Sequence, residues 1–142
     1  MLLGEHEHAL DEKNRLTLPA RLREQLGERL VVTHGLDGCL YLYAAAEWEK
    51  LADRVGSLDP LSAQARTMQR FFFASAVDVG LDKQGRFVIP TNLLESAGIA
   101  REVTVTGIYD HLEIWDRATW REQRQTVEGS AEDVAERLAN RD

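Results

Sequence analysis

The sequence contains little that would hold a fold together through covalent bonds or metal ions. Its 142 residues include one cysteine, three prolines and four histidines. The single thiol of Cys39 excludes an intramolecular disulfide and a zinc site built from several cysteines. Cys39 opens the apolar run of residues 39–43, which is typical of a buried, unreactive thiol. The sequence therefore predicts no cofactor and leaves stability to packing.

His6 and His8 are close enough in sequence to be considered as metal ligands. Two residues apart, they would share one face of a β-strand, with Glu5 or Glu7 nearby. The sequence places no third ligand for them, and we favour an exposed polar face of an edge strand. We therefore predict no metal site.

Long hydrophobic runs and an excess of positive charge are also missing. No apolar run approaches the roughly 20 residues of a membrane span, and residues 1–3 run directly into Gly4 and Glu5 without the apolar segment of a secretory signal. These features predict a cytoplasmic protein with no membrane partner. The 17 basic residues are outnumbered by 24 acidic ones, for a net charge of −7. That balance disfavours a partner, such as DNA, that is held by bulk electrostatic attraction.

Catalytic motifs are not recognisable in the sequence. Ser75, Ser96 and Ser130 have no His or Asp at the spacing of a known nucleophile motif. The sequence therefore predicts neither an enzyme nor a protein with a small-molecule substrate.

The sequence does contain an internal repeat. At a shift of 71 residues, six positions of the first half match identical residues of the second, and the match continues at a shift of 72. The matching residues of the first copy are Leu10, Asp11, Arg15, Pro19, Leu22 and Gly27, followed by Val31, Gly35, Leu40 and Trp48. A copy of about 45 residues buries too little surface to fold alone. We therefore expect the two copies to pack as a pseudo-two-fold pair with one core.

Each copy shows the same order of local signals. A tight polar turn, with Asn14 or Gly85 at a position that favours positive φ, is followed by a short apolar strand. Pro19 and Pro90 are predicted at the first position of a helix, and a pair of strands follows each helix.

Helices are predicted outside these modules as well. Apolar stripes at helical spacing cover residues 48–55 and 61–72. Ser130 and Asp133 have the spacing of a capping box that would begin a C-terminal helix.

Both copies keep an Asp followed four residues later by an Arg, as Asp11 with Arg15 and Asp82 with Arg86. One interpretation is a salt-bridged turn. The other is an arginine offered to phosphate or to a guanine edge, and one pair can do both. The turn segments are mildly basic, with a net charge of +2 over residues 11–23 and +1 over residues 82–94.

The runs Leu-Asp-Glu-Lys-Asn-Arg-Leu-Thr-Leu-Pro-Ala at 10–20 and Leu-Asp-Lys-Gln-Gly-Arg-Phe-Val-Ile-Pro at 81–90 resemble the swapped-hairpin module of AbrB-type transcription factors. Their tandem order, with the start Met-Leu-Leu-Gly-Glu-His-Glu-His, resembles the MraZ family over nearly the whole chain. The resemblance implies a β-rich α+β fold of two tandem AbrB-like swapped-hairpin barrel modules with additional helices. We assign the modules to residues 5–47 and 76–119, a helical connection to 48–75 and C-terminal helices to 120–142.

The resemblance also implies a function. The protein would be a sequence-specific DNA-binding transcriptional regulator, assembled as a homo-oligomeric ring on promoter repeats of the bacterial division and cell wall gene cluster, in the cytoplasm at the nucleoid. It places Lys13, Arg15, Lys83 and Arg86 against double-stranded DNA, and makes Asp11, Asn14, Asp82 and Gly85 the residues that structure the turns. The alternative is an antitoxin-like or scaffolding interaction module of the same fold.

Arg117, Arg121 and Arg124 form one further basic cluster, because their spacing puts them on one helical face. A solvated or inter-subunit face is the favoured interpretation, and a second DNA contact is the alternative.

Overall fold

The computed structural model describes residues 1–141 and has an α+β fold, in which eight strands and five helices lie within those residues. The strands are β1 (Leu2–Ala9), β2 (Arg15–Thr17), β3 (Arg29–His34), β4 (Leu40–Ala44), β5 (Val77–Gly80), β6 (Arg86–Val88), β7 (Glu102–Tyr109) and β8 (Leu112–Asp116). The helices are α1 (Ala20–Leu26), α2 (Ala45–Gly56), α3 (Ala63–Phe73), α4 (Thr91–Ser96) and α5 (Arg117–Ala139). Across residues 1–141, none of the helices combines the length and the apolar character needed to cross a membrane.

The two repeats exchange strands. Six strands form an antiparallel sheet in the order β1-β7-β8-β4-β3-β5, while β2 and β6 form a separate two-stranded ribbon. Strand β1 of the first repeat pairs with β7 of the second, and β5 of the second pairs with β3 of the first. The ribbon likewise takes one strand from each repeat. This exchange confirms the tandem modules of an α+β fold, whereas closure of the strands into a barrel stays a prediction.

The core lies between one face of the six-stranded sheet and a layer made of the ribbon with α1 and α4. Leu16 of β2 faces Phe87 of β6, and both point inward at 0% and 2% exposure. Buried leucine, isoleucine and valine side chains from both repeats complete one continuous cluster. The ribbon is therefore held by its apolar face, which leaves its other face to solvent.

The second face of the sheet is covered by α2, α3 and α5. The Thr33 hydroxyl of β3 donates to the Phe72 carbonyl of α3 at 2.7 Å. Over β1, Arg117 lies 3.1 Å from a Glu7 oxygen and Arg124 lies 3.1 Å from a Glu5 oxygen.

Arg121 also contacts Glu7, at 3.4 Å. The arginine face of α5 therefore binds its own β1 through ion pairs. The side chains of Arg121 and Arg124 nevertheless remain 62% and 44% exposed, as expected for a solvated face, and an inter-subunit role or a second DNA contact stays a prediction.

The repeat continues through β3 and β7 in a different register from the one that the sequence suggests. A shift of 72 pairs Val31 with Val103, but in the sheets Leu30 pairs with Val79 while Val103 pairs with His8. Because Val79 and His8 are equivalent at a shift of 71, Val103 takes the place of Leu30. The shift of 72 is wrong in these strands, and a one-residue slip moves a side chain to the opposite face.

Helix termini differ from the predictions at several points. Pro19 and Pro90 have extended ψ values of 143° and 140° and are the N-caps that precede α1 and α4, one residue before the predicted position. Leu61 lies outside α3, which begins after the N-cap Ser62. Ser130 does not start a helix, because α5 is continuous and its hydroxyl donates to the Thr126 carbonyl at 2.7 Å.

Candidate nucleic-acid interface

Turn 1, which comprises residues 11–15, is organised by the carboxylate of Asp11. Its Oδ1 accepts the backbone N–H groups of Lys13 and Arg15, both at 2.9 Å, and its Oδ2 accepts from Arg15 Nε at 2.6 Å. Asn14 takes the left-handed conformation, with φ 58°. Asn tolerates this conformation better than other residues that carry a Cβ.

Turn 2, which comprises residues 82–86, repeats this geometry. Asp82 Oδ1 accepts the N–H groups of Gln84 and Arg86 at 2.9 Å each, and Oδ2 accepts from Arg86 Nε at 2.8 Å. Gly85 takes φ 76° at the position equivalent to Asn14. The Asp and the Arg four residues later therefore form the same arrangement in both repeats. We call it the Asp–Arg clip: one carboxylate accepts two backbone N–H groups and the Nε of the arginine.

Hydrogen bonding at each clip favours the charged form of the aspartate. The pKa of Asp11 lies below the ordinary carboxyl value, first because of the Arg15 N–H and then through the Arg15 side chain and the Lys13 N–H. The pKa of Asp82 is lowered in the same way, with the Arg86 N–H as the largest cause. Both aspartates therefore stay ionised near neutral pH and hold the turns closed.

The clip leaves part of each arginine available. Arg15 and Arg86 contact their aspartates through Nε, and within residues 1–141 the Nη groups have no hydrogen-bond acceptor. Each of these side chains is 27% exposed. A guanidinium held by Nε is fixed in place while its terminal fork remains able to donate to a ligand. The salt-bridged turn and the DNA contact are thus compatible in a single pair.

The ribbon brings the two arginines onto one surface. Arg15 lies opposite Val88, and Thr17 lies opposite Arg86. Because directly paired residues share a face and alternate residues return to it, these four form the outward face, with Leu16 on the inward one. Strand geometry places the Cα atoms of Arg15 and Arg86 about 8 Å apart on the diagonal.

Each turn is tied to the other repeat through the backbone. Leu18 N–H donates to the Gly85 carbonyl, and Ile89 N–H donates to the Asn14 carbonyl, both at 3.0 Å. These bonds extend the ribbon by one pair at each end, so turn 1 and turn 2 lie at opposite ends of a ladder about 13 Å long. Lys13 and Lys83 sit in the turns beyond these ends.

Two further arginines lie beside the turns, and sequence reasoning did not assign them there. A groove at turn 1 is lined by Asp11, Glu12, Lys13, Arg15 and Arg101. At turn 2, Arg23 lines a groove with Asp82, Lys83 and Gly85, together with Glu24 and Glu28. The net charge of +2 over residues 11–23 includes Arg23, which in the structure lies at turn 2 and not at turn 1. The missed signal was strand exchange, which brings residues of one repeat to the turn of the other.

The histidines and Cys39 belong to no metal-binding cluster among the described residues. Within the described part of the chain, no three His, Cys, Asp or Glu side chains are grouped closely enough to hold a metal ion. Cys39 is buried, and burial raises the pKa of its thiol, which keeps it protonated. His8 lies on the edge strand β1, where desolvation lowers the pKa of its ring.

Comparison with known proteins adds the family context of these turns. A family model described as "MraZ protein, putative antitoxin-like" matches twice, over residues 1–71 and 72–142. A protein named transcriptional regulator MraZ from Heliobacterium modesticaldum is 44% identical over 142 residues, covering 100% of this chain and 99% of its own. Its namesake from Syntrophomonas wolfei is 43% identical over 140 residues, covering 99% of this chain and 98% of its own.

Proposed function

This chain belongs to the MraZ family, and from that premise we propose that it regulates transcription by binding double-stranded DNA through the outward face of the β2–β6 ribbon. The observation that carries the proposal is the placement of Arg15 and Arg86. Both lie on one face of the ribbon, anchored through Nε with their Nη groups unpaired within residues 1–141. Regulation of transcription is the function named for the relatives.

The dimensions of the ribbon support this mode of binding. The major groove of B-DNA is about 12 Å wide and admits a two-stranded β-ribbon. An arginine fork in the groove donates to the O6 and N7 atoms of guanine or to a phosphate. Arg15 and Arg86 are the groups we assign to base edges or phosphates, and Lys13 and Lys83 would contact the phosphates beyond each end of the ribbon.

The charge of the chain points to assembly. At a net charge of −7, one ribbon would bind a single short site weakly, and linked copies would multiply the affinity. We propose a homo-oligomeric ring that sets the ribbons along one rim. In residues 1–141, β1 and β5 are the outer strands of the sheet, and such edges are surfaces on which copies can associate. The proposed target is the set of promoter repeats of the division and cell wall gene cluster, in the cytoplasm at the nucleoid.

The proposal is tested by gel shift with the DNA upstream of the gene for this chain. We expect binding that survives nonspecific competitor and that is lost in Arg15→Ala. As a matched control, Arg54→Ala removes the same charge from an exposed position on α2, across the sheet from the ribbon, and should leave binding unchanged. Circular dichroism should show that all of these variants are folded. Equal binding by the two variants would contradict the assigned interface.

Assembly is tested by the number and spacing of the repeats. Ribbons on one rim would meet sites spaced by about one helical turn, roughly 10 base pairs. Three tandem repeats should then bind far more tightly than one, and inserting about 5 base pairs between repeats should abolish the gain. Indifference to the insertion would contradict the ring.

An antitoxin-like or scaffolding module is the second candidate, and the words "antitoxin-like" in the family description favour its inclusion. Such a protein would meet a protein partner and would not require upstream DNA. Failure of the wild-type chain to bind that DNA, even at low salt, would support this candidate over the regulator.

A further inference from the structure

We propose that each DNA-facing turn is completed by an arginine of the other repeat, Arg101 at turn 1 and Arg23 at turn 2, and that each contacts a phosphate of the duplex. This inference rests on the proposed DNA binding and adds two contact residues to it. In both cases the arginine reaches the turn because the repeats exchange strands.

Arg101 is carried to turn 1 by the pairing of β1 with β7. Ala9, the last residue of β1, pairs with Glu102, and the next N–H, that of Leu10, donates to the Arg101 carbonyl at 2.8 Å. Arg101 therefore stands directly beside the start of turn 1. Its side chain is exposed and lines the groove that contains Lys13 and Arg15. Among residues 1–141, no carboxylate forms an ion pair with it.

Arg23 is carried to turn 2 by helix α1. Its guanidinium packs on Gly85, where a Cβ atom would come within 2.6 Å of Arg23 Cζ. The Nε atom of Arg23 is buried and has no hydrogen-bond partner among the described residues. Glycine at the left-handed position of turn 2 thus does two things, since it permits φ 76° and leaves room for the arginine.

The repeats supply these arginines at positions that are not equivalent. The residue equivalent to Arg101 is Glu28, whose carbonyl accepts the Leu81 N–H at 3.3 Å beside turn 2. The residue equivalent to Arg23 at a shift of 71 is Leu94, which is buried in the core. Each turn therefore receives one arginine, by a different route.

These arginines make the local charge balance more positive at both turns. At turn 1, Lys13 and Arg15 face the two carboxylates Asp11 and Glu12, so Arg101 makes the groove net positive. At turn 2, three carboxylates line the groove with Lys83 and Arg23, so Arg23 raises the net charge of the groove from −2 to −1. The groove-side carboxylates at turn 2 are Glu24, Glu28 and Asp82. At each turn, the arginine from the other repeat therefore favours the approach of a phosphate.

The test is a set of double-mutant cycles on full-length protein. Arg23→Met and Arg101→Met remove the charge and keep an apolar stem for packing. Each is combined with Arg15→Ala and with Arg86→Ala, and thermal unfolding confirms that every variant is folded. The probe is a fluorescein-labelled duplex of the DNA upstream of this chain's gene, and binding is followed by anisotropy as salt is varied.

We expect each Met variant to bind roughly tenfold more weakly at 0.1 M salt, with a salt slope reduced by about one for each turn engaged. Arg101→Met should add little to Arg15→Ala, because that turn is already disengaged, and should retain its full effect on Arg86→Ala. Arg23→Met should show the reverse, with little added to Arg86→Ala and a full effect on Arg15→Ala.

Two results would overturn the inference. Wild-type affinity in both Met variants would show that neither arginine contacts DNA. If the effect of Arg23→Met on DNA affinity were non-additive with Arg15→Ala, its near neighbour in sequence, and additive with Arg86→Ala, the result would contradict the exchange between repeats. Failure of the proposed function is distinguished by the wild-type protein, which would then not bind the duplex at all. In that case the inference about Arg23 and Arg101 would also be wrong.

Discussion

Turn 1 and turn 2 contain the same Asp–Arg clip in different surroundings. In both, one carboxylate accepts two backbone N–H groups and one Nε, at distances that agree within 0.2 Å. Around the clip, Asn14 stands where the second repeat has Gly85, and Arg101 stands where the first repeat has Glu28. The clip therefore depends only on local sequence, whereas the charge around it depends on which residues the other repeat brings near.

The largest expected effect is loss of DNA affinity when a clip loses its arginine. Arg15→Ala should cost about 1–3 kcal/mol of binding free energy for each turn that contacts a base. Arg86→Ala should cost less, because the carboxylates beside turn 2 already weaken its hold on DNA. Anisotropy titrations of the two variants side by side measure the difference. A larger loss in Arg86→Ala would reverse the ranking of the turns.

A substitution at the left-handed position should separate the turns by stability. Gly85→Ala places a Cβ at φ 76° and against Arg23, so we expect a loss of about 1–2 kcal/mol in unfolding free energy. Asn14→Gly replaces a residue that already tolerates the left-handed conformation. The free energy of unfolding should therefore change by no more than about 1 kcal/mol. Urea unfolding measures both. Equal losses would show that the two turns are not differently packed.

Acid should weaken both clips in the same direction. Because the pKa values of Asp11 and Asp82 are lowered in the folded protein, the clips contribute their full stability above the ordinary carboxyl pKa. That contribution is lost as the pH falls through the lowered values. Thermal unfolding between neutral pH and pH 3 should therefore show less pH dependence in Asp11→Asn with Asp82→Asn than in the wild-type protein. An unchanged pH dependence would mean that other carboxylates dominate acid unfolding.

The smallest expected effect lies at the helix starts, where the repeats are most alike. Pro19 and Pro90 have φ −56° in both N-caps. Replacing either with Ala should cost at most about 1 kcal/mol, through the greater freedom of the unfolded chain. DNA affinity should not change. A loss of several kcal/mol in only one of the two variants would reveal an asymmetry that their geometry does not show.

Local features of the fold could be predicted from the sequence because short-range chemistry determines them. Asn14 and Gly85 do take positive φ, and the stripe of residues 48–55 lies within α2. The predicted start at Ser130 was wrong because capping residues also occur inside helices, where their hydroxyls bond to the preceding turn.

Non-local features could not be predicted in the same way. The shift of 72 misplaced Val31 relative to Val103, because strand pairing and not residue identity sets the register. The positions of Arg23 and Arg101 beside the turns follow from strand exchange. A sum of charges over contiguous residues does not include contacts between the two repeats. The roles of Lys13, Arg15, Lys83 and Arg86 in DNA contact remain predictions.

The most direct measurement of the central claim is photo-crosslinking to DNA from the outward face of the ribbon. Val88 lies on that face opposite Arg15 and is 52% exposed, while Val127 on α5 is 48% exposed and serves as the matched control. A benzophenone amino acid is placed at each position in turn, and the protein is irradiated with a labelled duplex of the upstream DNA. Binding of DNA to the outward face of the ribbon should give efficient crosslinking from position 88 and little from position 127. Equal crosslinking from both positions, or stronger crosslinking from α5, would contradict that placement of the DNA.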